Sequence, residues 1–188
     1  MVHSPLSQDF YERMKPRLYQ RIGRELRLAG RVLDLGCGSC DLVRYLASRY
    51  EQRVTGVDIS SESFPAQAEH SARRRMRCIR KDAAHLDFMS EKSVDAVVIM
   101  WALHEMKHPR RILQEASRTL RPGGEILIVE FPKGSLAQQL WNEDYYSPEE
   151  LTSMLDCARF REMRARLIER GQIIWAKAFR PARHLAER

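Results

Sequence analysis

The sequence predicts a doubly wound α/β domain built on a mostly parallel sheet. Three observations lead there. Short apolar runs alternate with helical stretches from residue 31 to residue 131, which places helices on both faces of a parallel sheet. The first run, Val32-Leu33-Asp34-Leu35, is closed by a glycine loop, Gly36-Cys37-Gly38, that opens a helix. The last elements, 161–168 and 172–179, read as two strands around Arg170-Gly171, an antiparallel hairpin that closes the sheet.

Each element has a local cause. In the N-terminal helical segment, 1–30, Phe10, Met14, Leu18, Ile22 and Leu26 recur every four residues and make one apolar stripe. Pro16 predicts a break or kink there, and Gly30 ends the segment. Residues 41–50 read as a helix, and Val54-Thr55-Gly56-Val57 as a second strand ending at Asp58. A helix is expected over 63–74 and a third strand over 76–79. Residues 94–100 (VDAVVIM) form the fourth strand, apolar on both faces. The helix over 109–120 carries Ile112, Leu113, Ala116 and Leu120 on one side. Arg121-Pro122-Gly123-Gly124 predicts a turn before a fifth strand over 125–130. The rhythm then slows over 132–147. Ser147-Pro148-Glu149-Glu150 is a capping box with proline at the first helical position, so a helix runs on to about 158. The tail from 180 is expected to fray.

At 188 residues the chain fits one domain, divided into the segment 1–30, a cofactor-binding core 31–131, an acceptor-side segment 132–147, and a helix with its closing hairpin, 148–179. Hydrophobic residues at 44% and charged residues at 30% exclude the low-apolar signature of disorder. No apolar run approaches the ~18 residues of a membrane span, so no membrane insertion is expected. The first residues lack the apolar core of a secretory signal, and the expected location is the cytoplasm. Four cysteines, Cys37, Cys40, Cys78 and Cys157, are too few for a disulfide framework and are expected as thiols. The net charge of +7 permits an anionic partner without requiring one. The run Arg73-Arg74-Arg75-Met76-Arg77 reads as a solvated helix end rather than a phosphate patch.

The loop Gly36-Cys37-Gly38 carries the sharpest signal. Two residues without Cβ admit a ligand close to the backbone. The helix after them offers free N–H groups and a positive dipole end to an anion such as a carboxylate. Asp58 closes the second strand 24 positions after Asp34, where an acid can accept both hydroxyls of a ribose. Asp82 follows the third strand, placed to accept from an adenine amino group. Together these describe a nucleoside-bearing cofactor at the switch point of the sheet. A dinucleotide loop would have a third glycine where Asp41 stands, and an acid there repels a pyrophosphate. The acid before the loop, Asp34, suits an ammonium group instead, which points to S-adenosylmethionine.

In order and spacing, DLGCGSC, GVDIS, RKDAAHLDF, VDAVVIMWALHEM and LRPGGEILIVEF resemble the class I S-adenosylmethionine-dependent methyltransferases. The resemblance is to the small-molecule branch that includes the ubiquinone and menaquinone biosynthesis enzymes. It covers about 30–131 and, by topology, 148–179. It implies a Rossmann-like seven-stranded sheet with an antiparallel last strand. It also implies methyl transfer to an oxygen, carbon or sulfur nucleophile of a small molecule. Residue by residue it implies that Gly36, Cys37 and Gly38 pass the methionine moiety and that Asp34 reaches its ammonium. Asp58 would bind the ribose, Ile59 pack on adenine, Asp82 and Ala83 address the base, and Trp101 flank the departing methyl. Tyr11 or Arg13 is a candidate to close over the cofactor carboxylate. Cys40 departs from the pattern, standing where many members have a third glycine.

In-line methyl displacement needs the nucleophile held about 3–3.5 Å from the methyl, and sometimes a base for its proton. His104, Glu105, His108, Glu130, Lys133, Tyr145 and Tyr146 are the candidates by position. His104 is the first choice for base because imidazole titrates near neutrality; Tyr146 is the second catalytic candidate. His104, Glu105 and His108 could pattern as a metal cluster, but Pro109 holds His108 extended, so no metal is expected. The C-x-x-C formed by Cys37 and Cys40 has no second pair to complete a zinc site. Trp141, Tyr145 and Tyr146 either line an acceptor pocket or anchor a loop. Nucleobase amine methyltransferases carry an Asn/Asp-Pro-Pro-aromatic motif where this chain has Met100-Trp101-Ala102-Leu103, which disfavours nucleic acid. The alternative is an RNA-directed methyltransferase or a non-catalytic cofactor- or RNA-binding module.

Overall fold

A computed structural model of the chain describes residues 8–65 and 75–182. Its elements are α1 (Gln8–Glu25), β1 (Arg31–Leu35), α2 (Asp41–Arg49), β2 (Arg53–Asp58), β3 (Met76–Arg80) and β4 (Val94–Met100). A 3-10 turn, Leu103–Glu105, leads into α3 (Pro109–Thr119), β5 (Leu120–Glu130), α4 (Leu136–Trp141), α5 (Pro148–Cys157), β6 (Arg161–Ile168) and β7 (Ile173–Phe179). One seven-stranded sheet has the order β3-β2-β1-β4-β5-β7-β6. Strands β1 to β5 are parallel, and β7 runs antiparallel to both β5 and β6. The order reverses between β1 and β4. The loops leaving those two strands therefore diverge to opposite faces and leave a crevice at their carboxyl ends.

Period-2 alternation explains the two cores. Val32, Ala96, Val98, Leu127 and Val129 face α1 and α2. Their neighbours Leu33, Leu35, Val97, Ile99, Ile126 and Ile128 face α3 and α5. Both faces are covered, so the parallel strands read as continuous apolar runs. Asp34 is the one acid inside β1, on the α1 and α2 side.

The structure departs from the sequence reading at four places. Helix α1 is continuous through Pro16. Pro16 is exposed, so water can satisfy the carbonyl its ring leaves without a donor, while burial of Tyr11, Met14, Leu18, Ile22 and Leu26 holds the helix down. The expected turn at 121–124 is absorbed into β5. Val94 pairs with Leu120 and Ala96 with Glu125, so the intervening residues form a bulge rather than a chain reversal. The segment 132–147 contains a helix, α4, that no periodicity announced.

The expected helix over 63–74 lies largely outside the described residues, as do Arg73 and Arg74 of the basic run. The fourth departure is chemical. Cys40 and Cys78, expected as thiols, have their sulfurs bonded at 2.12 Å. Cys78 sits opposite Gly56 in the β2–β3 register. A Cβ on Gly56 would meet Val43 Cγ2 at 2.7 Å and Cys37 Sγ at 2.8 Å, so the missing side chain leaves room for Cys37 to pack over β2. Cys37 Sγ lies 3.5 Å from Cys40 Sγ. Among the described residues no helix is long and apolar enough to cross a membrane.

The capping box at α5 is present as expected: Ser147 Oγ accepts from Glu150 N at 3.2 Å, and Glu150 Oε2 accepts from Ser147 N at 2.7 Å. Ser147→Ala is expected to lower stability by about 1 kcal/mol. Urea unfolding should show a lower midpoint at unchanged slope; an unchanged midpoint would show that the cap does not hold this helix.

Candidate functional site

The crevice between β1 and β4 is a two-part cleft. A hollow of about 360 Å³ is lined by Gly36, Gly38, Asp58, Ile59, Asp82, Ala83, Trp101, Glu105 and neighbours. A second, of about 230 Å³, is lined by Lys15, Tyr19, Asp34, Cys37, Ser39, Trp101 and the same two glycines. The glycine loop and Trp101 are thus the shared wall between them.

The loop has a specific build. Gly36 N and Cys37 N both donate to Val57 O, at 2.8 and 3.2 Å, which turns the chain over the end of β2. Gly36 adopts φ +75° and packs against β4's exit: a Cβ there would meet Ala102 Cβ at 2.3 Å. Side chains are excluded on both counts. Cys40 also has a left-handed backbone, φ 60°, immediately before α2. That is why glycine suits the position and why cysteine there is a departure.

Asp58 stitches the loop to β2. Its Oδ2 accepts from Gly38 N at 2.8 Å and its Oδ1 from Ser60 N at 3.0 Å. A carboxylate has about four lone-pair sites, so it keeps capacity for a ligand. Asp82 Oδ1 accepts from Ala84 N at 2.8 Å and faces the same hollow, with Ala83. Ile59 is 69% exposed at the rim. Asp34 differs from both. It is buried, and among the described residues no hydrogen bond reaches its carboxyl group. Burial, reinforced by the charge of Asp58, pushes it up to about 7. Burial likewise pushes up the Cys37 thiol, which leaves it an inert lining group. Trp101 holds φ 53° at the end of β4, and its indole Nε1 is buried without an acceptor.

Beyond Trp101 lies the second constellation. The side chain of His104 is nearly fully buried. Its Nδ1 is 2.9 Å from Glu130 Oε1, and Glu130, fully buried at the end of β5, also accepts from Phe131 N at 2.8 Å. Burial opposes the imidazolium, but the Glu130 hydrogen bond and the charges of Glu130, Glu105 and Glu143 outweigh it and raise the His104 pKa. His104 Nε2 lies 3.2 Å from Glu143 Oε2 and 3.8 Å from Glu105 Oε1.

The structure brings together every cofactor-side residue expected from the sequence: Asp34, Gly36, Cys37, Gly38, Asp58, Ile59, Asp82, Ala83 and Trp101. Others are reassigned. Neither catalytic candidate lines a hollow: the backbone of Tyr146 pairs with Pro132 and its ring packs on the α3–α5 core, while His104 lies behind Glu105, which does line the larger one. Tyr11 does not close over a carboxylate. It is buried, its hydroxyl donating to Gln172 and accepting from Ala137 N. Trp141 and Tyr145 pack with Tyr11 and Phe131, ring centroids 4.9 to 5.4 Å apart, and so anchor the 132–147 segment rather than line the cleft. Lys133 pairs with Glu150 at 2.9 Å. His108 stands before α3 with φ −128° and ψ 59°, outside the helix but not extended as expected from Pro109, and it borders the larger hollow.

Sequence reasoning missed Lys15, Tyr19 and Glu143. Lys15 and Tyr19 are four apart on α1, so they share a face, which was the available signal. Glu143 had none, because only the fold of 132–147 brings it to His104.

A family described as a methyltransferase domain matches residues 33–128. A ubiquinone/menaquinone biosynthesis C-methyltransferase of Syntrophotalea carbinolica is 34% identical over 113 residues, covering 57% of this chain and 47% of that protein. A phosphatidylethanolamine N-methyltransferase of Cereibacter sphaeroides is 33% identical over 115 residues, 57% of this chain and 55% of that protein. The chain spans about half the length of these curated relatives. Among solved structures, the [4+2]-cyclase SpnF superposes with a TM-score of 0.77 at 20% identity, over 89% of this chain and 82% of its own. That likeness concerns the fold alone.

A cationic ligand beside Asp34 must meet it as a carboxylate. Binding below pH ~7 should therefore release a proton, and affinity should fall up to tenfold per pH unit below ~7 while staying flat above it. Calorimetry of S-adenosylhomocysteine binding across this range measures the effect, with Asp34→Asn expected to abolish it. A pH-independent affinity in the unaltered protein would contradict the assignment.

Proposed function

The chain belongs to the methyltransferase-domain family, and on that premise we propose that it transfers a methyl group from S-adenosylmethionine to a small-molecule acceptor. The observation that carries the reading is the buried Asp34 carboxyl, without a hydrogen-bond donor among the described residues, beside a glycine loop that has no room for a side chain at Gly36. The residues present fit the cofactor. Asp34 suits its ammonium, the orphaned Trp101 indole offers a donor, and Asp58 has lone pairs to spare for a ribose.

S-adenosylmethionine, when bound, supplies a methyl group on a sulfonium sulfur, already activated for displacement. The chain's own residues bind, orient and shield. Asp34 neutralises the ammonium. Lys15, with the free N–H groups that open α2, favours the carboxylate at the same end. Asp58 accepts the two ribose hydroxyls, and Asp82 with Ala83 addresses the base while Ile59 covers it. Trp101 walls the methyl side. Across it, Glu130 holds the His104 Nδ1 proton and so turns Nε2 toward Glu143 and Glu105, the latter at the edge of the cleft. His104 is the acceptor-side residue of this reading; Tyr146 is not proposed. The relatives' names, a quinone-pathway C-methyltransferase and a phospholipid N-methyltransferase, support an acceptor that is a small molecule.

Titration calorimetry with S-adenosylmethionine and S-adenosylhomocysteine tests the proposal, with saturable binding of both expected. Asp58→Ala removes one or two charge-assisted hydrogen bonds worth about 1.5–3 kcal/mol each, so affinity should fall about tenfold or more. Because Asp58 also holds Gly38, Asp58→Asn serves as the milder control. No binding of either ligand to the unaltered protein would end the proposal.

A further inference from the structure

The acceptor side holds one group of side chains that cofactor binding leaves unexplained. One nitrogen and two carboxylate oxygens, from His104, Glu105 and Glu143, lie within 4.8 Å of one another. With Glu130 they put three carboxylates around a single imidazole, so even an imidazolium leaves a net excess of negative charge. The side chain of His104 is 3% exposed, yet its one aligned ring hydrogen bond is at Nδ1, to Glu130. Its Nε2 points into the group, with Glu143 at 3.2 Å and Glu105 at 3.8 Å, neither in hydrogen-bond alignment. Two donors that share an ion at about 2.0–2.2 Å stand roughly 3.0–3.5 Å apart and off each other's axis. The His104–Glu143 pair has that separation, and Glu105, at 3.8 Å from the same nitrogen, closes in by a few tenths of an ångström when an ion is shared.

The surroundings add an independent observation. A metal-bound histidine characteristically donates its other ring N–H to a carboxylate, which fixes the tautomer and strengthens the ligand. Fully buried Glu130 occupies that position. Tyr145 OH donates to Glu143 Oε2 at 2.9 Å and holds the second carboxylate in place. Glu105 and Glu143 side chains are 67% and 45% exposed, so one side of the group stays open. Glu105 also borders the proposed cofactor cleft.

We propose that His104, Glu105 and Glu143 form a divalent metal site at the acceptor mouth, with Glu130 and Tyr145 positioning the ligands. One imidazole and two carboxylates suit Mn²⁺, Fe²⁺ or Zn²⁺. This differs from the His104, Glu105 and His108 set that the sequence suggested and Pro109 disfavoured, because Glu143 takes the place of His108. The inference rests on the methyl-transfer reading for its purpose: an ion here would take an acceptor hydroxyl on its open side and acidify it. The hydroxyl proton leaves to solvent, the oxygen pair forms the new O–C bond, and the C–S pair returns to sulfur as a neutral thioether.

The test needs no acceptor. Protein stripped with EDTA is titrated with Mn²⁺ and Zn²⁺ by calorimetry, and each sample is then titrated with S-adenosylhomocysteine to show that the cleft is folded. One ion per chain is expected. His104→Ala and Glu143→Gln should each weaken binding at least tenfold, and Glu130→Gln about 10–100-fold through the ligand it positions. No saturable binding, or binding that these variants leave unchanged, overturns the metal site. S-adenosylhomocysteine binding that persists in that case leaves the methyl-transfer reading standing, so the two can fail separately.

Discussion

A buried carboxyl group with no donor of its own governs this structure. Asp34 sits inside β1, an inner strand at the switch point, flanked by apolar residues that fill both cores. Burying an ionisable group without a partner is costly, and the group escapes by staying protonated until a cation arrives. A pKa near 7 is the sign of that balance. An apolar residue would be more stable at this position in a fold with no ligand to receive. The cost is intelligible when a cation completes the site, and the remaining features of the cleft serve the molecule that carries the cation.

Those features follow from the order of strands. Because β1 and β4 exit in divergent directions, the glycine loop and Trp101 are left facing each other across a crevice. Register then places the acids. Asp34 lies opposite Gly56 and Val98, and Asp58 opposite Arg80 at the end of β2. Asp58 has two duties, tying Gly38 down and facing the cleft, so the loop's shape and its ligand chemistry are coupled through one side chain. On the far side of Trp101, Glu130 at the end of β5 does the same for His104. The glycine loop and His104 are thus each set by an acid at a neighbouring strand's tip. That is the reason a rigid parallel sheet suits such a site.

What could be read from the sequence was what depends on short-range chemistry. The apolar runs, the glycine loop, the acids at strand ends and the Ser147 capping box are all local, and each is where the sequence placed it. What escaped was long-range. Pro16 predicts a kink from its own ring, but the burial of α1's stripe overrides it. Cys40 and Cys78 are 38 positions apart, and only the fold, which sets the start of α2 beside β3, brings them together. Tyr146 looked catalytic by proximity in the chain, but its neighbour Tyr145 is the one that turns toward His104, with ring centroids 4.6 Å apart. Glu143 reaches the site through the fold of 132–147, a segment whose aromatic residues anchor it against Tyr11 and Phe131.

The central claim is that a sulfonium-bearing nucleoside lies across the tips of β1, β2 and β3 with its amino acid end over Asp34. A crystal structure of the protein with S-adenosylhomocysteine tests this most directly. The account predicts the ligand's ammonium within hydrogen-bond reach of Asp34, directly or through one water, its ribose hydroxyls on Asp58 and its adenine beside Asp82 and Ala83. A ligand bound elsewhere, or seated in the cleft with Asp34 still without a partner, would contradict it.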